Sequence, residues 1–311
     1  MSSNVKKINL QEMKDAISRS GYLIEQRIEP IVEARGFFIE TDTAFKDLET
    51  GKSREIDIYA LSGTRVYRNE SDSIFPIILC ACNNNSQPVV FFKRDPIHSF
   101  LFYENVKYSG IPVKFFVKDG FVSLAQYMGL GKFHHYCKGP FSTQYCTFHK
   151  KRGKDPWIAS RTEEQQEVFA SLIKALNSTI DEHYDIWEQS EKRKIEDINI
   201  QIYYPLIVFR GDIYETYVED NNLKLRKTNY MQFIKRNISQ KGKDTYQFDV
   251  VNEKYLPNYL DIVKKEMERI KKKFSRKRKD VERALEKLSL QIRRKRRSES
   301  YRDILEFQGY L

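Results

Sequence analysis

The sequence has no apolar run approaching the roughly 20 residues that a bilayer-spanning helix needs, so a helical membrane protein is excluded as a class. Cysteine is scarce. Four in 311 residues cannot make a disulfide framework and suit a reducing cytosol. Met1 to Leu10 lacks the apolar centre of a secretory leader, and a cytoplasmic location is the expectation. Neither a Walker lysine loop nor a dinucleotide fingerprint occurs, so no ATPase activity is expected, and Ser-His-Asp chemistry has no local signature. What is present is a chain 40% apolar and 31% charged, long enough for one large domain or two ordinary ones.

Charge is unevenly placed. Residues 261–311 hold eighteen Lys and Arg against nine acids, so +9 of the net +11 lies there and residues 1–260 carry only +2. A basic end of this kind points to a polyanion partner, most often nucleic acid, or to a solvated charged helix.

Periodicity predicts two helices over residues 7–35, interrupted at Ser20 and Gly21, kinked or broken at Pro30, and ended by Gly36 at C′. The period then changes to two. Strands are expected at Phe37–Thr43 and at Glu55–Leu61, with Ile56, Ile58 and Ala60 on one face. Phe75–Cys82 is a nearly continuous apolar run, the pattern of a strand buried on both faces. Val89–Phe92 and Val113–Val117 follow as strands. Thr162 and Gln165 resemble a capping box opening a helix to about Ser190. Asn199–Phe209, Ile213–Val218, Leu223–Arg226 and Tyr246–Val251 read as further strands. From Leu256 the chain is helical, with Leu260, Val263, Met267, Ile270 and Phe274 at heptad-like spacing. Val281, Leu285, Leu288 and Ile292 resume that seam after the basic break Ser275–Asp280. The expected division is an α/β domain over 1–255, with its core at 20–125 and further helix and strands at 160–251. A basic, coiled-coil-like helical extension follows over 256–311.

One ordered set of residues carries chemistry. Glu25 lies on the second helix, and Asp57 lies in the strand Ser53-Arg54-Glu55-Ile56-Asp57-Ile58. The buried strand that follows ends at Ala81-Cys82-Asn83-Asn84-Asn85-Ser86-Gln87-Pro88. With the hairpin that runs from Gly36-Phe37-Phe38 to Gly51-Lys52, this order resembles the PD-(D/E)XK superfamily, the restriction-endonuclease-like nucleases, over residues 20–125. The resemblance implies a mixed central sheet flanked by helices and a role on DNA, or RNA, in prokaryotic defence or DNA processing. It also implies a Mg²⁺ site held by Asp57, the backbone carbonyl of Cys82 and, through water, Glu25. Phosphodiester cleavage needs such an ion to neutralise the phosphate and acidify the attacking water. At the family's Glu-X-Lys, however, Ala81 stands at the Glu position and Asn83 at the Lys position, with Gln87 beyond them. Losing carboxylate and lysine together costs on the order of 10³-fold or more in rate, so Mg²⁺ binding is expected to be weak or absent. Three explanations stay open: a natural pseudo-nuclease, an inactivated form of an active enzyme, or charges supplied from Lys52, Lys93 or Gln87. A non-enzymatic assembly scaffold is the alternative of a different class.

Residues 131–154 contain no acid. Cys146-Thr147-Phe148-His149 has a zinc-ligand spacing that His134 or Cys137 would complete. The same stretch sets Lys132, Lys138, Lys150, Lys151 and Arg152 among aromatics, which suits phosphate contact. The basic clusters Lys271, Lys272, Lys273, Arg276, Lys277, Arg278, Lys279 and Arg293, Arg294, Lys295, Arg296, Arg297 are the other phosphate-binding candidates. The apolar seam between them offers a surface for the body of the protein or for a second copy, giving a homodimer.

Overall fold

The computed structural model describes residues 7–19, 22–66, 72–95, 98–117, 120–150, 156–161, 163–189, 198–239 and 242–295. The chain opens with α1 (Leu10–Arg19) and α2 (Tyr22–Glu33). Pro30 does not break α2: the helix runs on to Glu33, and Ala34 N–H still reaches the Pro30 carbonyl at 3.1 Å. Gly36 follows at φ +76°, the left-handed value that stops a helix at C′.

A hairpin comes next, β1 (Phe38–Lys46) with β2 (Ser53–Leu61), then the short β3 (Thr64–Arg65), β4 (Ser73–Asn83) and β5 (Val89–Arg94). Beyond them lie β6 (Lys107–Ile111), β7 (Lys114–Val117), β8 (Gly120–Ser123) and the five-residue α3 (Leu124–Met128). Then come β9 (Phe141–His149), β10 (Ile158–Ser160) and the 27-residue α4 (Glu163–Gln189). The chain continues through β11 (Asn199–Phe209), β12 (Ile213–Glu219), β13 (Asn222–Thr228), β14 (Tyr230–Ser239) and β15 (Gly242–Asn252). It closes with α5 (Leu256–Arg276) and α6 (Arg278–Lys295). Thr162, the expected cap of α4, lies outside the described residues.

Thirteen of the strands form one mixed sheet, ordered β1-β2-β4-β11-β15-β14-β9-β5-β12-β13, with β3, β6 and β10 paired beside that path. β7 and β8 make a separate ribbon. At the centre β4 and β11 run parallel from Ser73↔Asn199 to Asn83↔Phe209. Their even and odd residues feed two different cores. Ile74, Ile78, Cys80, Ile200, Ile202, Tyr204 and Leu206 face α2, α3, α5 and α6. Ile77, Leu79, Ala81, Tyr203, Ile207 and Phe209 face α4, which supplies Phe169, Leu172, Ile173 and Leu176. A strand buried on both faces needs apolar residues at every position, which is why these two runs are continuous in the sequence.

β11 forks. Its first half pairs antiparallel with β6, and its second half pairs parallel with β15. Gly110 permits the first pairing: a Cβ there would meet the Asn199 carbonyl oxygen at 1.9 Å, at φ +96°. On the α4 side, Asp47 in the β1–β2 turn is fully buried. It accepts from Arg54 Nε at 2.7 Å and Lys174 Nζ at 2.8 Å, which ties the hairpin to α4. Lys174 first, and Arg54 after it, outweigh burial and hold the Asp47 carboxyl well below the ordinary range.

The C-terminal helices correct the expected division. Leu256, Leu260, Val263, Met267, Ile270 and Phe274 are all buried in the core shared by β4 and β11. The packing therefore has no boundary at 255–256. Each such side chain contributes about 1.5–3 kcal/mol of transfer free energy. Val281 and Leu285 of α6 join the same core. As far as Leu285 this heptad-like seam is thus consumed by the body of the chain, and α5 does not offer it to a second copy; the side chains of Leu288 and Ile292 lie outside the described ones. Among the described residues, no helix is long and apolar enough to cross a membrane.

Candidate functional site

The sheet register brings Asp57 to the end of β4, and α2 carries Glu25 close enough for the Asp57 charge to act on it. Thr41↔Ile58 and Thr43↔Ile56 place Asp42 directly across from Asp57 in the hairpin, with Asp42 in a left-handed conformation at φ +49°. β2 is laddered to β4 from Leu61↔Ile77 to Ile58↔Cys80, and there the ladder ends. One residue further on, the Asp57 carboxylate takes the place of the missing rung and accepts from the Cys82 backbone N–H at 2.5 Å. The two strands part at this point. Ile56 consequently leaves the face of Ile58 and Ala60 and packs in the opposite core, contrary to the single face expected for the three.

Glu25 sits on α2 beside the buried Ile24 and Ile28. Its carboxyl is raised above the ordinary value by burial, then by the charges of Asp57 and Asp42. Asp57 is raised too: burial leads, Asp42 adds to it, and the Cys82 N–H opposes. The Cys82 thiol is pushed well up by its hydrogen bond to Cys80 and by burial, with Asp57 and Glu25 contributing. Sequence reasoning missed Asp42. A signal existed in the alternation of β1, which puts an acid opposite Asp57 once the hairpin turn is fixed.

The remaining positions of the motif have structural occupations. Ala81 is 8% exposed and packs with Ile56, Ile77 and Leu79 under α4. Asn83 lines a small apolar pocket with Val89, Phe91, Tyr145, Phe169 and Phe209. Its Oδ1 accepts from Asn85 N at 2.9 Å, and Asn85 Oδ1 accepts from Gln87 N at 2.8 Å. The asparagine run is thus a pair of Asx turns that turns the chain out of β4. Gln87 is exposed at the far end of those turns. Lys93 is held by Asp95 at 3.3 Å and lies over the Tyr217 ring. Lys52 stands at the hairpin turn, about 16 Å along the strand from Asp57 at the usual rise. A cation that the sequence did not single out lies closer to the motif. Arg210 N donates to the Asn83 carbonyl at 3.0 Å, and its guanidinium donates to Asn84 Oδ1 at 2.9 Å.

Glu25, Asp42 and Asp57 do not bring three carboxylates together at one point. Among the described residues, the group that brings three His, Cys, Asp or Glu ligand atoms within 4.8 Å of one another is His134, His135 and Glu266, not Glu25 and Asp57. The expected zinc set is not assembled either. Cys146 and His149 lie on β9, where His149 Nδ1 pairs with Ser160 Oγ at 3.1 Å.

His134 and His135 belong to a buried ion network. His135 Nδ1 lies 3.0 Å from both Glu266 oxygens, and its Nε2 lies 2.9 Å from Asp249 Oδ2. Tyr259 and Tyr230 donate to the two Asp249 oxygens at 2.8 Å, and Tyr204 donates to Glu266 at 3.2 Å. Burial alone would lower His135, but Asp249 and Glu266 overcome it and raise the imidazole to about 10. Burial would raise Glu266, but His134 and His135 hold it down at about 2. His134 is lowered to about 4 by burial. Its Nδ1 accepts from Tyr136 N at 3.2 Å, which puts the proton on Nε2, 3.5 Å from Glu266. Both His135 nitrogens thus serve carboxylates and the His134 tautomer is fixed. The cluster therefore fits protons and not a metal ion.

The basic candidates separate into four kinds. Lys132, Lys138, Lys150, Lys272, Arg276, Arg278 and Lys279 are exposed. Lys271, Lys273 and Lys277 are half-buried, the last two against Phe133 and Tyr127. Arg293, Arg294 and Lys295 fall in the last turn of α6, while Lys151, Arg152, Arg296 and Arg297 lie outside the described residues. Among known proteins, no family model, curated protein or solved structure matches this chain.

Proposed function

We propose that this chain is a nucleic-acid-binding protein on a restriction-endonuclease-like scaffold whose cleavage site is disabled. One observation carries the reading: Asp57 from β2 meets the end of β4 through the Asp57–Cys82 hydrogen bond, and α2 carries Glu25 close enough for the Asp57 charge to act on it. That is the order and placement the sequence resemblance calls for. The disabled state follows from the occupants. Ala81 is core and Asn83 is a turn former, so the carboxylate and the lysine of Glu-X-Lys are both missing beside Asp57, affinity for Mg²⁺ is weak and no cleavage step is routed through it. The unneutralised acids would repel a phosphodiester where no ion intervenes, so phosphate contact falls to the basic surfaces of the chain.

The test is supercoiled plasmid in Mg²⁺ or Mn²⁺ together with a binding titration on DNA. Salt-dependent binding without nicking is the expected result. Nicking that disappears in Asp57→Ala would mean an active enzyme. No binding at low salt would leave an assembly scaffold in its place.

A further inference from the structure

Two basic stretches far apart in the sequence meet on one surface. The loop after α3 contributes Lys132, and α5 with its C-cap contributes Arg269, Lys273 and Lys277 at intervals of four, a stripe about 12 Å long. Phe133 lies under two of them, Arg269 and Lys273. The Arg269 guanidinium lies 6.0 Å and the Lys273 ammonium 4.9 Å from its ring centre. Lys273 also donates to the Met128 carbonyl. The Lys277 ammonium stands 3.6 Å over the Tyr127 ring and donates to the Tyr127 carbonyl.

These cations differ from their neighbours. Lys271 has Glu268 at 3.9 Å, Arg278 has Glu282 at 2.7 Å, and Arg283 has Asp280 at 3.9 Å. Among the described residues, none of Lys132, Arg269, Lys273 and Lys277 has an acid partner; Arg269, Lys273 and Lys277 lie against aromatic rings, and Lys273 and Lys277 also reach backbone carbonyls. They also repel one another: Lys273 is lowered by burial, then by Lys277 and Lys132. Positive charges fixed by packing and left without acids are relieved by an external anion. Because Lys273 and Lys277 are already held in place by their carbonyls, less ordering entropy is lost when one arrives.

We infer that the surface formed by Lys132, Arg269, Lys273 and Lys277 is a docking face for the phosphodiester backbone of duplex nucleic acid. A stripe about 12 Å long spans several phosphates of one strand, whose charges recur every 3.4 Å along the axis. The inference rests on the nucleic-acid reading above but not on the Glu25–Asp57 site, and it adds Arg269 while narrowing the basic clusters to one face.

The experiment uses the full chain and a fluorescein-labelled 20-base-pair duplex, with anisotropy titrations across a salt series. The first variant is Lys132→Gln/Arg269→Gln, both exposed, with a thermal melt to confirm folding. A control, Lys46→Gln/Lys52→Gln, removes the same charge from the β1–β2 hairpin. The expected result is about a tenfold loss of affinity for the face variant, and a log Kd against log salt slope flatter by about 1.8, with the control unchanged. Wild-type binding with an unaltered face variant, or equal losses in face variant and control, would overturn the docking face and leave the nucleic-acid reading standing. A wild type that does not bind the duplex at low salt would overturn both.

Discussion

Glu266 and Asp57 are both carboxylates withdrawn from water, and their surroundings treat them in opposite ways. Glu266 on α5 lies against an imidazolium, a second histidine, a backbone N–H and a tyrosine hydroxyl, and its carboxyl is held down at about 2. Asp57 has one backbone N–H and two neighbouring acids, and its carboxyl is raised. The first environment was built around a charge: every oxygen of Glu266 and Asp249 has a donor, and of this network His134 Nε2 alone is left without a hydrogen bond. The second tolerates a charge and is left open to whatever neutralises it. Completed networks are what bind elements together, and incomplete ones mark the places where a protein can do something else.

The largest effect that would break this contrast is at Glu266. Glu266→Ala removes one partner of a buried ion pair and leaves His135 with Asp249 alone, so it should cost about 3–5 kcal/mol in urea unfolding. A loss below about 1 kcal/mol would mean that the network was not built around that charge. Ala81→Glu comes next. It inserts a carboxylate under α4 and should cost about 2 kcal/mol or more. A neutral result would show that position 81 faces the Asp57 site after all.

The pH dependence sharpens the same comparison. Glu266 is held below its ordinary 4.5, so its contribution is complete above that pH and fades as pH falls toward about 2. His135 is raised from 6.5, so its contribution is complete below that value and is lost as pH rises through about 10. Their joint contribution is therefore greatest between about 4.5 and 6.5. Urea midpoints across pH should show the acid limb shrink in Glu266→Gln. An identical acid limb in that variant would place the sensitivity elsewhere. The smallest effect is at Asp57→Asn. The amide oxygen still accepts from Cys82 N–H and a repelling charge is gone, so stability should stay within about 1 kcal/mol and shift upward. A clear loss would mean that the Asp57 charge has an attractive partner.

Legibility in the sequence followed burial pattern. β4 and β11 announce themselves because both faces are buried and every position is apolar. β14 does not: Gln232 sits fully buried near its start, and its amide is satisfied by the His135 and Lys138 carbonyls, 94 or more positions away, and by Gln247 on the neighbouring strand, partners that no short window of sequence contains. Glu266 was readable in principle. It lies three residues after Val263 and four before Ile270, on the apolar stripe of α5, where a lone acid implies a buried partner. The identity of that partner was not readable, because His135 is 131 residues distant.

The sequence by itself determined the central strands, the hairpin, the helical C-terminus and the concentration of positive charge there, because each rests on periodicity or composition within a short window. Tertiary structure alone decided that α5 is core and not extension, since a heptad-like stripe is satisfied equally by a partner helix or by a sheet. It decided that the two histidines hold protons, since their ring nitrogens meet acids from β15 and α5. It also gathered Lys132 beside Arg269, Lys273 and Lys277, because like charges distant in sequence become neighbours only when apolar burial elsewhere outweighs their repulsion.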